Sequence, residues 1–450
     1  MNKRSTFTGG IGFVMAAAGS AVGLGNLWRF PYLAAQYGGG IFLLVYIILL
    51  FTFGFAMLMT EISIGRKTKL SCIGAYKKLC SKFAFLGYLA WLVPLLILPY
   101  YAVIGGWVLK YTLVYLTGQG SAAASDTYFS AHISQTGSPI IMFLIFLIAT
   151  AVVVALGVQK GIERISKILM PVLIVIAIGV SIYVLTLPDA VEGLKYYLIP
   201  DVSKFSFKTI AAAAGQLFFS LSIAMGIMVS YGSYVRDEVS LVKSVNQVEL
   251  FDTLIALLSG LMIIPPVVIY SGAEATANKG PGLMFMALPK VFDSMPAGTF
   301  IGALFFILVL LAALTSSISI LEATTSMLID RWKLSRPKSV IILTIFSVVI
   351  GIAVSLGFGL WSDFTIGGMD LLTFFDYITN SVLMPIVTFF TCILIGWVVG
   401  TKGLEAEIQK NGEVFRRKLV MRVMVKYVTP VMMVLILIVY NLAQFGIINI

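Results

Sequence analysis

The sequence predicts an all-α integral membrane protein, on the basis of its composition, its recurring apolar segments and the placement of its basic residues. Of 450 residues, 59% are hydrophobic and 11% are charged, which is too little polar surface to cover a soluble domain. Apolar runs of about 20 residues, the length that crosses a bilayer, recur along the whole chain. We predict eleven transmembrane helices, called spans 1 to 11, at residues 9–35, 40–65, 86–116, 139–157, 161–187, 209–236, 243–271, 298–331, 339–358, 370–400 and 421–446.

The segments between the spans alternate in charge. Segments on the side of the N-terminus contain 24 of the 31 Lys and Arg residues, and those on the opposite side contain six. Because basic loops remain in the cytoplasm, the N-terminus is predicted to be cytoplasmic and, with eleven spans, the C-terminus extracellular. The net charge of +11 therefore orients the protein in the membrane and does not indicate a nucleic-acid partner.

The reactive side chains argue against an enzyme. His132, the single histidine, falls in a polar loop. The three cysteines, Cys72, Cys80 and Cys392, show neither a disulfide framework nor metal-site spacing. Ser316 lies in an apolar segment that offers no histidine or lysine at membrane depth to activate it as a nucleophile.

Two spans contain glycine and serine at mid-membrane, where an exposed backbone would be costly unless it lines a cavity. These segments are GSAVGLGN at residues 19–26, in span 1, and FSLSIAMG at residues 219–226, in span 6. One such segment would indicate close helix packing, but two of them five spans apart indicate an inverted repeat with paired broken helices. This predicts a first repeat at residues 1–187, a second at 188–400, and a final loop and span at 401–450.

Five ionisable residues fall inside spans, where each needs a partner or a cavity. Arg29 and Asp376 are predicted to form an extracellular gate that pairs after substrate binds. Glu61 and Glu322 are predicted to accept hydrogen bonds from free backbone N–H groups of the broken spans. Asp252 is predicted to hold a sodium ion, because hard cations prefer oxygen ligands; a proton site is the alternative.

The sequence GSAVGLGNLWRFPYLAAQYGGG at residues 19–40 closely resembles the first-span signature of the neurotransmitter:sodium symporter family. GQLFFSLSIAMG at 215–226, LTSSISILE at 314–322 and GIERISKILMP at 161–171 resemble its spans 6, 8 and 5. The resemblance extends over nearly the whole chain and is strongest to the bacterial amino-acid transporter branch. It implies the LeuT-like fold, with eleven transmembrane helices and a 5+5 inverted repeat, in a bacterial-type inner membrane.

The resemblance also implies two sodium sites and a substrate site at the breaks. The first sodium would meet the substrate carboxylate and four residues, Ala21, Asn26, Ser220 and Asp252. The second sodium would meet Gly19, Val22, Ala312, Thr315 and Ser316. The substrate would contact Ala21, Leu24, Gly25, Ile97, Tyr101, Phe219, Ser220, Ser222, Met225, Ser316 and Ile320.

Two gates follow from the same resemblance. Tyr101, whose hydroxyl would hold the substrate carboxylate, and Phe219 would form a lid below the extracellular pair already described. On the cytoplasmic side, Arg4 would pair with Asp330. Three residues would lie near that inner pair, namely Phe7, Gln216 and Tyr234.

Departures from the family pattern bear on the substrate. Monoamine-transporting relatives have an aspartate where this chain has Gly23, so glycine favours a substrate with its own carboxylate. Asp252 supplies a fixed negative charge where many relatives have asparagine, which predicts transport without chloride. Ala224 replaces a typical glycine and is expected to narrow the substrate pocket.

These features predict sodium-coupled symport of a neutral, hydrophobic L-amino acid into the cell by alternating access. Two alternatives keep the same binding residues: proton-coupled amino-acid transport, and a sodium-dependent amino-acid sensor that does not transport. A channel would leave the carboxylate-binding arrangement without a purpose. The sequence indicates no particular oligomeric state.

Overall fold

The structure is a computed structural model that describes residues 5–272 and 282–444. The described residues are almost entirely helical, and the only extended pairings among them are the isolated bridges Gly39–Pro200 and Ile366–Met369. This confirms the predicted all-α class. Arg4, predicted to pair with Asp330, lies outside the described residues.

Nine helices in the described part of the chain are long and apolar enough to cross a membrane. Each overlaps one of the predicted spans. They are Gly40–Thr68, Ser81–Leu116, Ser138–Ala155, Val158–Leu185, Leu241–Ser271, Gly298–Trp332, Arg336–Leu356, Leu371–Val398 and Lys418–Leu442.

Span 1 is broken, as predicted. Its halves, Gly10–Ala21 and Gly25–Gln36, are bent by 48° at the intervening residues. Val22 in the break has an extended backbone, with φ −77° and ψ 96°. The break leaves carbonyl groups at the end of the first half and N–H groups at the start of the second half without helical partners, so both can face a ligand.

Span 6 is broken as well, into the helices Phe207–Ser220 and Ile227–Ser233. Neither half alone is long enough to cross a membrane. Length and composition therefore support nine spans, or ten when the bent pair of span 1 is counted as one. The predicted span that is missing from this count is span 6, because its break interrupts the apolar helix near its middle.

Burial separates central spans from peripheral ones. Over their most apolar windows, span 3 (Ser81–Leu116) and span 8 (Gly298–Trp332) are 78% and 72% buried, whereas span 4 (Ser138–Ala155) is 33% buried. Spans 3 and 8 therefore form the walls against which the broken spans pack. Shorter helices lie in the connections, at Cys72–Leu79, Gly120–Ala123, Tyr128–Ile133, Ala190–Leu198, Leu288–Ser294 and Lys402–Ile408.

Candidate functional site

A narrow cavity lies between the two breaks. Its walls come from spans 1, 3, 6 and 8, and they consist of Ser20, Ala21, Gly23, Gly25, Ile97, Tyr101, Phe219, Ser222, Met225, Ser316 and Ile320. Nine of the eleven residues expected to contact substrate are in this set. The other two lie beside it: the Leu24 N–H is 3.5 Å from the Tyr101 hydroxyl oxygen, and the Ser220 hydroxyl donates to Asp252.

The span 6 break is held in a strained conformation. Ser222 and Ala224 have φ angles of 53° and 65°, which cost roughly 1–3 kcal/mol each for residues other than glycine. The Ser222 hydroxyl donates to the Ser20 carbonyl at 3.0 Å, and the Ala224 N–H donates to Glu61 at 2.8 Å. The predicted role of Glu61 is thus confirmed. The expectation that Ala224 narrows the pocket is wrong, because its methyl group is not part of the cavity wall.

A cluster of oxygen atoms surrounds Asp252 on one side of the cavity. Asn26 Nδ2 donates to Asp252 Oδ1 at 2.9 Å, and the Tyr46 hydroxyl donates to Oδ2 at 2.8 Å. Asn26 Nδ2 also lies 3.1 Å from Ser220 Oγ. These four side chains are buried. The structure thus brings together three residues expected at the first sodium site, and the fourth, Ala21, lines the adjoining cavity.

A second cluster of oxygen atoms lies on the other side of the cavity. Ser316 Oγ lies 3.2–3.4 Å from the carbonyl oxygens of three residues at and just after the end of the first half of span 1, Gly19, Ser20 and Val22. Thr315 Oγ1 lies 3.0 Å from the Ala312 carbonyl oxygen. An added Cβ on Gly19 would lie 3.3 Å from Thr315 Cβ, so the two spans touch here. All five residues expected at the second sodium site are therefore neighbours.

The ligand chemistry of these clusters suits a hard monovalent cation. Within residues 5–272 and 282–444, no three His, Cys, Asp or Glu side chains are grouped to hold a metal ion. The two clusters instead offer carbonyl and hydroxyl oxygens with a single carboxylate. Such oxygen donors do not suit a transition metal, which prefers thiolate or imidazole ligands.

The expected extracellular pair has other partners in this structure. Arg29 Nη1 donates to the Gly215 carbonyl at 3.5 Å. Asp376 Oδ1 accepts from the Tyr100 hydroxyl at 3.3 Å and from the Asn380 amide at 2.6 Å. No ion pair joins Arg29 to Asp376 within the described residues, so their pairing as a gate remains a prediction.

At the opposite end, the N-terminal segment packs against the end of span 6. The Phe7 N–H donates to the Tyr234 carbonyl at 3.0 Å, and the two rings lie 6.1 Å apart. The Tyr234 hydroxyl donates to Glu322 at 2.7 Å, and Arg336 forms an ion pair with both Glu322 oxygens. The prediction that Glu322 satisfies backbone N–H groups is therefore wrong, because its oxygens are taken up by side-chain donors.

Two other inner-gate predictions have different outcomes. Asp330 accepts from the Ser71 N–H at 2.7 Å, and its expected partner Arg4 lies outside the described residues. The assignment of Gln216 to this gate is wrong, since its amide donates to the Gly25 carbonyl at 2.9 Å. Gln216 lies in the first half of span 6, whereas Tyr234 follows the second half, so the break separates them.

Three polar residues of the site were not predicted. Tyr46 supports Asp252, Arg336 neutralises Glu322, and the Ser259 hydroxyl donates to the Asn26 carbonyl. A tyrosine or serine within an apolar span does not reveal which way it faces. Arg336 could have been considered from the sequence, because it is a basic residue at the start of the helix that follows span 8, the span that contains Glu322.

Paired broken helices, with a cavity between them and oxygen clusters on either side, define the class as a secondary transporter. The model of the sodium:neurotransmitter symporter family matches residues 4–128 and 124–448. This chain belongs to the sodium:neurotransmitter symporter family; it is a multi-pass membrane protein and a sodium-dependent transporter, not an enzyme.

Individual relatives agree with the family. The chain is 33% identical to an uncharacterized sodium-dependent transporter of Haemophilus influenzae, over 97% of this chain and 98% of that protein. It is 29% identical to the sodium- and chloride-dependent taurine transporter of Rattus norvegicus, over 89% of this chain and 72% of that protein. It is also similar to the crystal structure of MhsT in complex with L-phenylalanine, with a TM-score of 0.88, 35% identity, and coverage of 97% and 99% of the two chains.

Proposed function

We propose that this protein carries a neutral, hydrophobic L-amino acid into the cell together with sodium, by alternating access and without chloride. The observation that supports this most is the cavity between the two breaks, flanked by the Asp252 cluster and the Ser316 cluster. In this proposal the two clusters bind one sodium ion each, and the cavity binds the amino acid.

The substrate carboxylate would bind at the start of the outer half of span 1. There the Leu24 N–H and the Tyr101 hydroxyl face each other across 3.5 Å, which is a long contact that a carboxylate oxygen can replace by accepting from both groups. The N-terminal end of a helix also favours a negative charge. A carboxylate here would complete the coordination of the sodium ion beside Asp252, so each ligand would raise the affinity for the other.

The remaining walls of the cavity suit an apolar side chain. Ile97, Phe219, Met225 and Ile320 line it, and an unbranched methionine adapts to side chains of different shape. The resemblance to MhsT, solved with L-phenylalanine, supports an amino-acid substrate. Gly23 supports the same class, because it provides no carboxylate of its own.

Chloride independence rests on Asp252. Its carboxylate is buried and placed to balance the charge of a sodium ion, which would otherwise need a mobile anion. Uptake should therefore be unchanged when gluconate replaces chloride on both sides of the membrane. A strict chloride requirement, as the name of the taurine relative states for that protein, would contradict this part of the proposal.

The proposed two sodium ions would supply ample driving force for inward transport. At about 100 mV, each sodium gains roughly 2.3 kcal/mol from the membrane potential, and a tenfold gradient adds about 1.4 kcal/mol. With a zwitterionic substrate, two ions could support accumulation of about five decades. We propose a bacterial-type inner membrane on the basis of the resemblance to bacterial amino-acid transporters, and a cytoplasmic N-terminus because of the distribution of the basic loops.

The test is uptake of a panel of labelled L-amino acids into proteoliposomes, with an inward sodium gradient compared with potassium or choline. Concentrative uptake that requires sodium is the expected result, and it identifies the substrate. Uptake that follows a proton gradient instead would contradict sodium coupling. Sodium-dependent binding without any uptake would replace the symporter with a sensor.

A further inference from the structure

A groove outside the transport site runs along span 7, the helix Leu241–Ser271. Two adjoining cavities of about 410 and 330 Å³ form it, and both are bounded by Asn246 and Leu250. One wall is the loop before span 11, at Glu413, and the other is span 2 at Phe51. The groove therefore begins at the end of the molecule with the basic loops and continues along the outer surface of the spans.

The charges in this groove sum to zero. Its charged residues are Lys243, Glu249, Glu413 and Arg417. Arg417 and Glu249 already form an ion pair, with a nitrogen–oxygen distance of 2.7 Å, and the Arg417 guanidinium lies 3.5 Å from the centre of the Phe55 ring. One ammonium group and one carboxylate thus remain to meet a ligand, which is the complement of a zwitterion rather than of an anion.

The Glu413 carboxylate has unused acceptor capacity. Its Oε2 accepts from the Val242 N–H over a long 3.4 Å. Its Oε1 is buried and has no hydrogen-bond partner within the described residues. Because this carboxylate lines the groove and has only one weak donor among the described residues, a ligand there that donates an N–H group would be bound favourably.

The other end of the groove is apolar and exposed. Leu250 is 64% exposed and Phe51 47%. Leu250 is about 15 Å along the helix axis from Ser240, the residue just before span 7, given a rise of about 1.5 Å per residue. The apolar end therefore lies where acyl chains of a membrane lipid would cover it.

We propose that this groove binds phosphatidylethanolamine, a phospholipid with a primary ammonium in a zwitterionic head group. The ammonium donates to Glu413, the phosphate meets Lys243, and an acyl chain lies along Leu250 and Phe51. A free head-group molecule would leave the apolar half of the groove uncovered, which is why the occupant is a lipid. The residues that line this groove are not among those of the proposed substrate and sodium sites.

Native mass spectrometry of the full-length protein tests the proposal, with micelles containing equal amounts of phosphatidylethanolamine, phosphatidylglycerol and phosphatidylcholine of identical acyl chains. The wild type should retain phosphatidylethanolamine about tenfold more than the other two, the effect of one charge-assisted hydrogen bond. Glu413→Gln should abolish this preference, and Lys243→Gln should weaken retention of all three lipids. The exposed residues Glu192 and Lys338 provide the controls, as Glu192→Gln and Lys338→Gln.

Three results would overturn the proposal. They are equal retention of the ethanolamine and choline lipids by the wild type, stronger retention of phosphatidylglycerol, and an unchanged preference in a folded Glu413→Gln variant. If that variant does not fold, Glu413→Asp replaces it: this variant keeps the carboxylate and should keep the preference. The comparison among lipids in the wild type decides the matter independently of any variant.

Discussion

At the scale of single residues, Gly23 has no side chain, and in the proposed function it leaves room for the substrate carboxylate. An added Cβ would lie 2.6 Å from Ser316 Oγ and 3.3 Å from the Tyr101 hydroxyl oxygen. We expect Gly23→Ala to weaken sodium-dependent amino-acid binding at least tenfold, about 1.4 kcal/mol, in a radioligand assay. Gly179→Ala is the matched control, because nothing lies within 4 Å of its added Cβ. Equal binding by the two variants would contradict the assignment.

His132 should make stability depend on pH. It lies in the short helix Tyr128–Ile133, outside the spans, where burial and the charge of Lys110 lower its pKa from the ordinary 6.5 to about 4. The unfolded chain then binds the proton more tightly than the folded chain. The free energy of unfolding should therefore decrease as pH falls from 6.5 toward 4, by at most about 1.4 kcal/mol per pH unit.

Thermal unfolding in detergent across this pH range measures the effect of His132. The variant His132→Gln should show a flatter pH dependence, because its side chain does not titrate in this range. An identical slope in the variant and the wild type would show that other groups govern the pH dependence of stability.

Sequence motifs identified most residues of the site, but they did not show which way a side chain points from its span. The span 1 and span 6 motifs placed residues such as Ala21 and Met225 correctly beside one cavity. Tyr46 was missed because nothing in an apolar span indicates that its hydroxyl meets Asp252. Gln216 was wrongly assigned to the cytoplasmic gate. It lies in the first half of span 6, before the break, whereas Tyr234 follows the second half.

At the scale of elements, the breaks in spans 1 and 6 were predictable, whereas their stabilisation was predictable only in part. Glycine and serine at mid-membrane indicate where the helix stops. Glu61 could be predicted to support a break because an ionisable residue inside a span needs a partner, and it accepts from the Ala224 N–H. Local sequence does not indicate that the Ser222 hydroxyl donates to the Ser20 carbonyl of the other broken span, so the left-handed conformation of Ser222 could not be anticipated.

A buried ion pair joins spans 8 and 9, and we predict that it stabilises the packing of these two helices. Glu322 is fully buried and the Arg336 side chain is 19% exposed. Arg336→Gln should destabilise the folded protein by about 3–5 kcal/mol, because it leaves a buried carboxylate without a counter-charge. Glu322→Gln combined with Arg336→Gln should recover much of that loss, since the two amides can bond to each other.

A double-mutant cycle on detergent-solubilised protein measures this coupling through thermal unfolding. The matched control is the pair Lys290 and Asp126, which is more exposed and should couple by no more than about 1 kcal/mol. Additive effects of the two substitutions at Glu322 and Arg336 would contradict the importance of the buried pair.

At the scale of the whole molecule, the distribution of apolar and basic residues predicted the class and the general course of the chain. Apolar runs identify the continuous spans because each must match the bilayer thickness. The number of spans is harder to establish, because a span with a functional break is divided into pieces such as Phe207–Ser220 that are too short by themselves. The features that make this chain a transporter are thus the ones that obscure its span count.

Sodium and the substrate carboxylate are proposed to touch each other beside Asp252, and equilibrium binding measures that contact most directly. The assay determines the Kd of the transported amino acid at increasing sodium and constant pH, then the Kd of sodium with and without the amino acid. Each ligand should raise the affinity for the other by the same factor, at least tenfold, and Asp252→Asn should weaken both. Amino-acid binding that is unchanged when potassium replaces sodium would contradict direct coupling at this site.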